Sequence, residues 1–317
     1  MSDIAEFIHY TTIALTVGMS SIGVGIGAGL MNIGAFQAID EQPAAQSDVL
    51  KLIFLSTALI DTAAIMGVVV AMMLLFDAPE QITIYSGIAE LGILFAICLP
   101  GLCIGLFSSL PARQACLSLA RQPFFAQKIL RFTLVSLSII QTPIIFGFLI
   151  ALLIKSHMYS LTTYAQGMQL LASGLCIGLG SIGPSCGMAF FARAACKGIG
   201  INRNIYNQLF SFTIVSEAII ETPVIFAVVV SLIVAAQSGD ITFLKGVALI
   251  SAALCTGLGT LGPGISSGQT AAAACDEIAE KPSAYSSISR MSMFAQGLID
   301  TSVIYSFIMS IALIWWT

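Results

Sequence analysis

Asp61, Gln141, Glu221 and Asp300 stand at one shared register inside long apolar stretches, at almost equal intervals along the chain. Their local strings are ALIDTAAI, SIIQTPII, AIIETPVI and GLIDTSVI. A carboxylate in the middle of an apolar helix costs roughly 2.5–3.5 kcal/mol on insertion scales. Three acids kept at one repeated position point to use, and the chemistry open to them is reversible binding of a proton or a cation. Burial disfavours the anion, so a lipid-facing carboxyl is neutral and must become charged to release its proton. A cationic partner in a hydrated channel would permit that release, and no buried arginine is visible in this chain to provide it. The fourth copy, Gln141, is an amide and cannot ionise. As a neutral polar group it is cheaper to bury than an anion, with Thr142, Ser138 or Ser136 as candidate hydrogen-bond partners.

Other polar groups cluster around these positions. A hydroxyl follows each one: Thr62, Thr142, Thr222 and Thr301. These could serve the site or bond back to the preceding turn of their own helix. Glu217 lies one turn before Glu221, and residues i and i+4 share a helix face. Two acids this close do not both ionise easily. Glu217 is therefore open to three readings: a hydrogen-bond partner of the site, a packing group, or a second ion site.

The elements that position these residues are membrane spans. Apolar residues make up 57% of the 317, charged residues 9%, and mean hydropathy is +0.98; a soluble domain carries about 25% charged residues. Eight apolar stretches are readable, at 10–37, 49–76, 87–119, 129–154, 164–195, 207–236, 244–275 and 288–316. Each exceeds the ~20 residues that cross the hydrocarbon core. Asp3, Glu6 and His9 precede the first in place of a basic region, so it reads as a retained helix. Of the 12 lysines and arginines, all but Lys155 and Lys245 fall in or beside the loops joining helices 1/2, 3/4, 5/6 and 7/8. The positive-inside rule places those loops in the cytoplasm or its equivalent.

The chain reads as an all-α membrane protein of four tandem helical hairpins: 1–80, 81–160, 161–240 and 241–317. Each hairpin has two spans, so the copies are parallel and can close into a ring by rotation about the membrane normal. First helices are rich in small residues, including Gly23, Gly25, Gly27 and Gly29 in repeat 1 and Gly257, Gly259, Gly262, Gly264 and Gly268 in repeat 4. In lipid such residues let backbones approach closely. The turns are polar: Glu41-Gln42-Pro43, Arg121-Gln122-Pro123 and Glu280-Lys281-Pro282, with the proline at one constant distance before the key position. Repeat 3 departs, having Asn202-Arg203 and no proline. A residue 12–15 positions into the following helix lies about 20 Å deep, near mid-bilayer.

In these features the chain resembles the c subunit, or proteolipid, of rotary ATP synthases and ATPases, four times over. The resemblance rests on the glycine-rich first helix, the Gln-Pro turn (Gln42-Pro43, Gln122-Pro123) and the mid-helix acid that follows it; the turn is closer to the F-type than the V-type. It implies an ion-translocating ring of copies in an energy-coupling membrane, turning against a stator subunit that supplies an arginine. A central stalk would dock on the polar loops, and Asp61, Glu221 and Asp300 would carry the ions. Each crossing couples about 2.3 kcal/mol per 100 mV to rotation. With Gln141 silent, a chain carries three ions, not four, which favours building a steep gradient by hydrolysis.

The string from Gln296 through Asp300, Thr301 and Ser302 to Tyr305 resembles the second helix of sodium-binding proteolipids. A hard cation needs several oxygen ligands. Those proteins add a Gln or Glu from the first helix, whereas the corresponding first-helix positions for the three acids hold Ala28, Met188 and Ser267. Protons are therefore the expected ion, with sodium at the same sites as the alternative. The eight cysteines form no CxxC or Cys/His cluster and read as small packing groups. No nucleotide motif or catalytic constellation is visible, so no cofactor, resident metal or nucleic-acid partner is expected and the chain is not an enzyme by itself. A secondary transporter or channel remains the competing class. Pro143 and Pro223 favour it, since they could kink their helices.

Overall fold

Backbone polar groups have no water to bond in hydrocarbon, so apolar stretches of this length must be helices. The computed structural model describes residues 2–77, 82–239 and 241–316, and every span in it is helical. The repeat boundaries at 80/81 and at 240, and the chain ends 1 and 317, lie outside the described residues.

The helices are α1 (Ser2–Glu41), α2 (Gln46–Phe76), α3 (Ile84–Phe107), α4 (Ser109–Arg121), α5 (Ala126–Ile140), α6 (Thr142–Met158), α7 (Tyr164–Ile201), α8 (Tyr206–Ala235), α9 (Phe243–Gly259), α10 (Leu261–Glu280) and α11 (Tyr285–Trp316). They make eight spans long and apolar enough to cross a membrane, because α3–α4, α5–α6 and α9–α10 each form one interrupted span. The interruptions fall at Ser108, Gln141 and Thr260, two to three residues before Pro111, Pro143 and Pro263. A proline has no N–H and crowds the carbonyl four residues back. At Pro143 a hydroxyl takes up the freed carbonyl, Thr142 donating to Ile139 O at 2.7 Å; at the Thr260 interruption the Thr260 hydroxyl bonds back to Gly257 O at 2.8 Å. Pro223, in the same register as Pro143, is carried inside α8 without a break.

Helix starts are capped where the sequence allows. Thr83, Thr163 and Thr242 share a register, and each accepts a hydrogen bond from the first turn of its helix. The turn between paired helices is a single 3-10 turn in all four repeats: Pro43–Ala45, Pro123–Phe125, Arg203–Ile205 and Pro282–Ala284. Where repeat 3 lacks proline, Asn202 Oδ1 accepts from the Asn204 N–H at 3.1 Å and holds the same turn.

The first spans pack in series: α1 on α3–α4, these on α7, and α7 on α9–α10. The second spans form another row against them, with α2 on α1, α6 on α3, α8 on α7 and α11 on α9–α10. Glycines set the close approach within the first row. A methyl group at Gly27 would collide with the Gly105 carbonyl, at Gly174 with that of Gly92, and at Gly187 with that of Gly264. The row stays open at both ends. Gly25 and Gly29 on α1, and Gly262 at the start of α10, have nothing within 4 Å of where a methyl would stand.

Candidate functional site

The key residues sit midway along the second-row spans: Asp61 in α2, Gln141 at the α5/α6 interruption, Glu221 in α8 and Asp300 in α11. Asp61, fifteen residues into α2, is about 22 Å along the helix axis. The three acids are half-buried, while Gln141 is only 6% exposed. The amide is thus tucked inside the bundle at a level where the acids reach its outer surface.

Gln141, Glu221 and Asp300 each meet one hydroxyl from another element, and the source of that hydroxyl is a tertiary matter. Thr62 faces two acceptors with its single proton, Leu59 O at 2.6 Å and Gln141 Oε1 at 2.9 Å. Gln141 therefore bonds to repeat 1, not to the Ser136, Ser138 or Thr142 expected from its own helix. Ser138 donates to Leu134 O and Thr142 to Ile139 O, and among the described residues Ser136 Oγ has no partner. One repeat on, Thr142 lies beside the Glu221 carboxyl. At Asp300 the hydroxyl comes from the first span of the same repeat, Ser267 Oγ at 3.2 Å from Oδ1. Thr222 and Thr301 bond back to Ala218 O and Leu298 O.

Other residues singled out in the sequence fall nearby in different ways. Gln296 is fully buried and donates to Ser216 Oγ at 3.3 Å and Ser292 Oγ at 3.1 Å, tying α11 to α8. Tyr305 is 69% exposed. Glu217 is fully buried, faces Ser136 across the α5–α8 packing, and among the described residues neither of its oxygens has a hydrogen-bond partner. In the turns, Pro43, Pro123 and Pro282 open the 3-10 turns, with Glu41, Gln42, Arg121, Gln122, Arg203, Glu280 and Lys281 around them. All eight cysteines are free thiols.

One pair escaped the sequence reading. His9 Nδ1 lies 2.9 and 3.0 Å from the two oxygens of Glu90, and both side chains are buried where α1 meets α3. An acid near the start of an apolar stretch was the available signal, but nothing local connects residues so far apart in the chain.

Comparison with known proteins adds an independent line. The family model for the ATP synthase C subunit matches residues 11–74, 171–234 and 250–313, together more than half of the chain. These stretches contain Asp61, Glu221 and Asp300. The chain is 38% identical over 79 residues to the ATP synthase c subunit of Synechococcus sp. (strain WH7803), covering 25% of this chain and 96% of the relative. It is 43% identical over 64 residues to that of Syntrophomonas wolfei subsp. wolfei, covering 20% and 89%. A third relative, from Chloroflexus aurantiacus (strain ATCC 29366 / DSM 635 / J-10-fl), is 35% identical over 75 residues, covering 24% and 99%. Nearly the whole length of each relative corresponds to about one quarter of this chain.

Proposed function

The chain belongs to the ATP synthase C-subunit family, and on that premise we propose that it is a fused four-hairpin rotor subunit that carries protons on Asp61, Glu221 and Asp300. Family membership and the eight spans make it a multi-pass membrane subunit without a catalytic centre, with a general ion-translocating rotor role. The finer reading rests on one observation: three ionisable side chains are half-buried at one depth on the outer row, while the single non-ionisable copy is withdrawn.

The mechanism follows from charge and burial. Facing lipid, each carboxyl is protonated, because an unpaired anion there is too costly. Facing a stator arginine in a hydrated channel, it releases its proton and pairs with the cation. Reprotonation from a second channel lets it re-enter lipid, and the ring steps on. Gln141 passes the stator with its proton inventory unchanged, so each chain moves three ions.

A ring of copies fits the open ends of the first row. Within the chain, Gly183 and Gly187 of repeat 3 press against Gly264 and Gly268 of repeat 4. The residues aligned with the first pair in repeat 4 are Gly262 and Ser266, and those aligned with the second pair in repeat 1 are Gly25 and Gly29. All four are exposed, so the last repeat of one copy can meet the first repeat of the next as repeats 3 and 4 meet. In that arrangement Thr301 of the neighbour would stand to Asp61 as Thr62 stands to Gln141. The four repeats are taken as 1–80, 81–160, 161–240 and 241–317. Their polar turns face the cytoplasm and the central stalk, and the membrane is an energy-coupling one.

A hard cation needs several oxygens. Repeat 4, with Ser267 beside Asp300, is the one place that favours sodium as the second reading. Particle imaging of the purified assembly tests the rotor. A closed circle with a multiple of four hairpins is expected, whereas a compact single copy would replace this reading with that of a secondary transporter.

A further inference from the structure

We propose that Phe36 of one copy seats in the groove between α10 and α11 of the preceding copy, forming a joint found only between chains. The inference rests on the ring reading above and specifies its partner surface, a second copy of this chain.

The register carries the argument. Phe36 is aligned with Cys116, Cys196 and Cys275 of the later repeats. Those three cysteines are buried, whereas Phe36 is 70% exposed. Inside the chain this position plugs the groove of the preceding repeat: Cys196 Sγ lies 3.8 Å from Thr133 Oγ1. Ser292 is the repeat-4 counterpart of Thr133. It lines an unfilled groove of about 410 Å³ with Thr270, Ala274, Met291 and Ala295. Met291, aligned with the buried Leu52, Phe132 and Phe212, is 67% exposed there. The exposed plug and the empty groove thus lie at matching registers on opposite ends of the row.

Their sizes are complementary in a way that the joint between repeats 3 and 4 is not. In repeat 3 the groove is filled from within by Phe191 and Phe212, edge to face at 5.6 Å between centroids, and the incoming residue is the small Cys275. In repeat 4 the aligned residues are Thr270 and Met291, with Ser292 for Thr213 and Ala295 for Ser216. That groove has lost its aromatic pair, and the incoming residue of the next copy has gained a ring. Packed interiors tolerate volume-conserving exchange and resist both voids and overfilling. Met291 is pliable and suited to contact with an aromatic face. A phenylalanine in place of Cys275 would overfill the repeat-3 groove, and a cysteine at the joint between copies would leave a void. The pairing therefore distinguishes the seam between chains from the seams within one.

Photocrosslinking of the full-length assembly tests this. Phe36→benzoylphenylalanine keeps an aromatic ring at the position. Irradiation should give a ladder at multiples of the 33.3 kDa chain, with adducts mapping to residues 270–295. Adducts to lipid alone, or to repeats 2 and 3, in particles that still contain several copies would overturn the joint while leaving the ring standing. Particles of a single copy would remove the ring reading and the joint together. As a second probe, oxidised Phe36→Cys/Ser292→Cys should form linked multimers absent from each single variant. An assembled double variant that yields no such ladder would equally reject the joint.

Discussion

Thr62 Oγ1 lies 2.9 Å from Gln141 Oε1, so at mid-membrane the non-ionisable repeat is hydrogen-bonded to the repeat before it. The amide nitrogen of Gln141 has no partner among the described residues. The acceptor role that Thr62 uses would be kept by a carboxyl of the same shape. Gln141→Glu should therefore assemble normally and raise the ions carried per chain from three to four. At a fixed ATP potential the limiting gradient should fall to about three quarters of its original value, since the same work is divided among more charges. An unchanged limiting gradient, with exchange at the new acid demonstrated, would refute the counting.

Dicyclohexylcarbodiimide reacts with protonated carboxyls that it can reach from lipid. Mass spectrometry should locate adducts on Asp61, Glu221 and Asp300, which are half-buried, and none on the fully buried Glu217. Asp61→Asn, Glu221→Gln and Asp300→Asn should each abolish coupled transport, because every repeat passes the same stator. Labelling confined to loop acids such as Asp40 or Glu280, or full transport in one of these variants, would remove the residue concerned from the carrier set.

Ion identity is decided by oxygen count. At Glu221 the neighbour is one threonine hydroxyl, and at Asp300 one serine hydroxyl. Carbodiimide labelling should then be indifferent to millimolar sodium at fixed pH and ionic strength. Selective protection of Asp300 would assign sodium to repeat 4 and bring Thr301 and Tyr305 into its ligand set.

The His9–Glu90 pair should behave as a buried interaction between repeats 1 and 2. Removing one partner strands the other in the core, at a cost of about 3–5 kcal/mol, whereas apolar replacement of both is often close to neutral. His9→Leu should lower thermal stability strongly, and His9→Leu/Glu90→Leu should recover most of it. Additive losses in the double variant would mean that the two side chains are not coupled.

Two neighbouring glycines separate folding from assembly. Gly27 abuts the Gly105 carbonyl within the chain, while Gly25 has nothing within 4 Å. Gly27→Leu should disturb the chain's own fold. Gly25→Leu should leave its helix content and melting intact but stop copies from associating. Normal ring formation by Gly25→Leu would place the contact between copies elsewhere.

Much of this architecture was legible before any coordinates. In hydrocarbon a long, continuously apolar run satisfies its backbone only as a helix, so apolar run length set the spans. The regular repeat period placed Asp61, Gln141, Glu221 and Asp300 at one register, and the polar proline turns followed from local chemistry, whereas the Asn202 bond that holds the same turn in repeat 3 emerged only in the fold. Glycine spacing indicated close packing in the first helices. What one dimension could not convey was which groups meet across repeats. Whether the Thr62 hydroxyl served its own helix or a neighbour depended on the rotation of α2 against α5–α6, and it faces both Leu59 and Gln141. Pro143 and Pro223 share a register, yet only the first interrupts its helix, because tolerance of proline is set by surrounding packing and not by the residue. The His9–Glu90 pair, the withdrawal of Gln141 and the opposed open faces at Phe36 and Met291 are likewise products of side-chain direction, which repeat spacing leaves undetermined and tertiary packing decides.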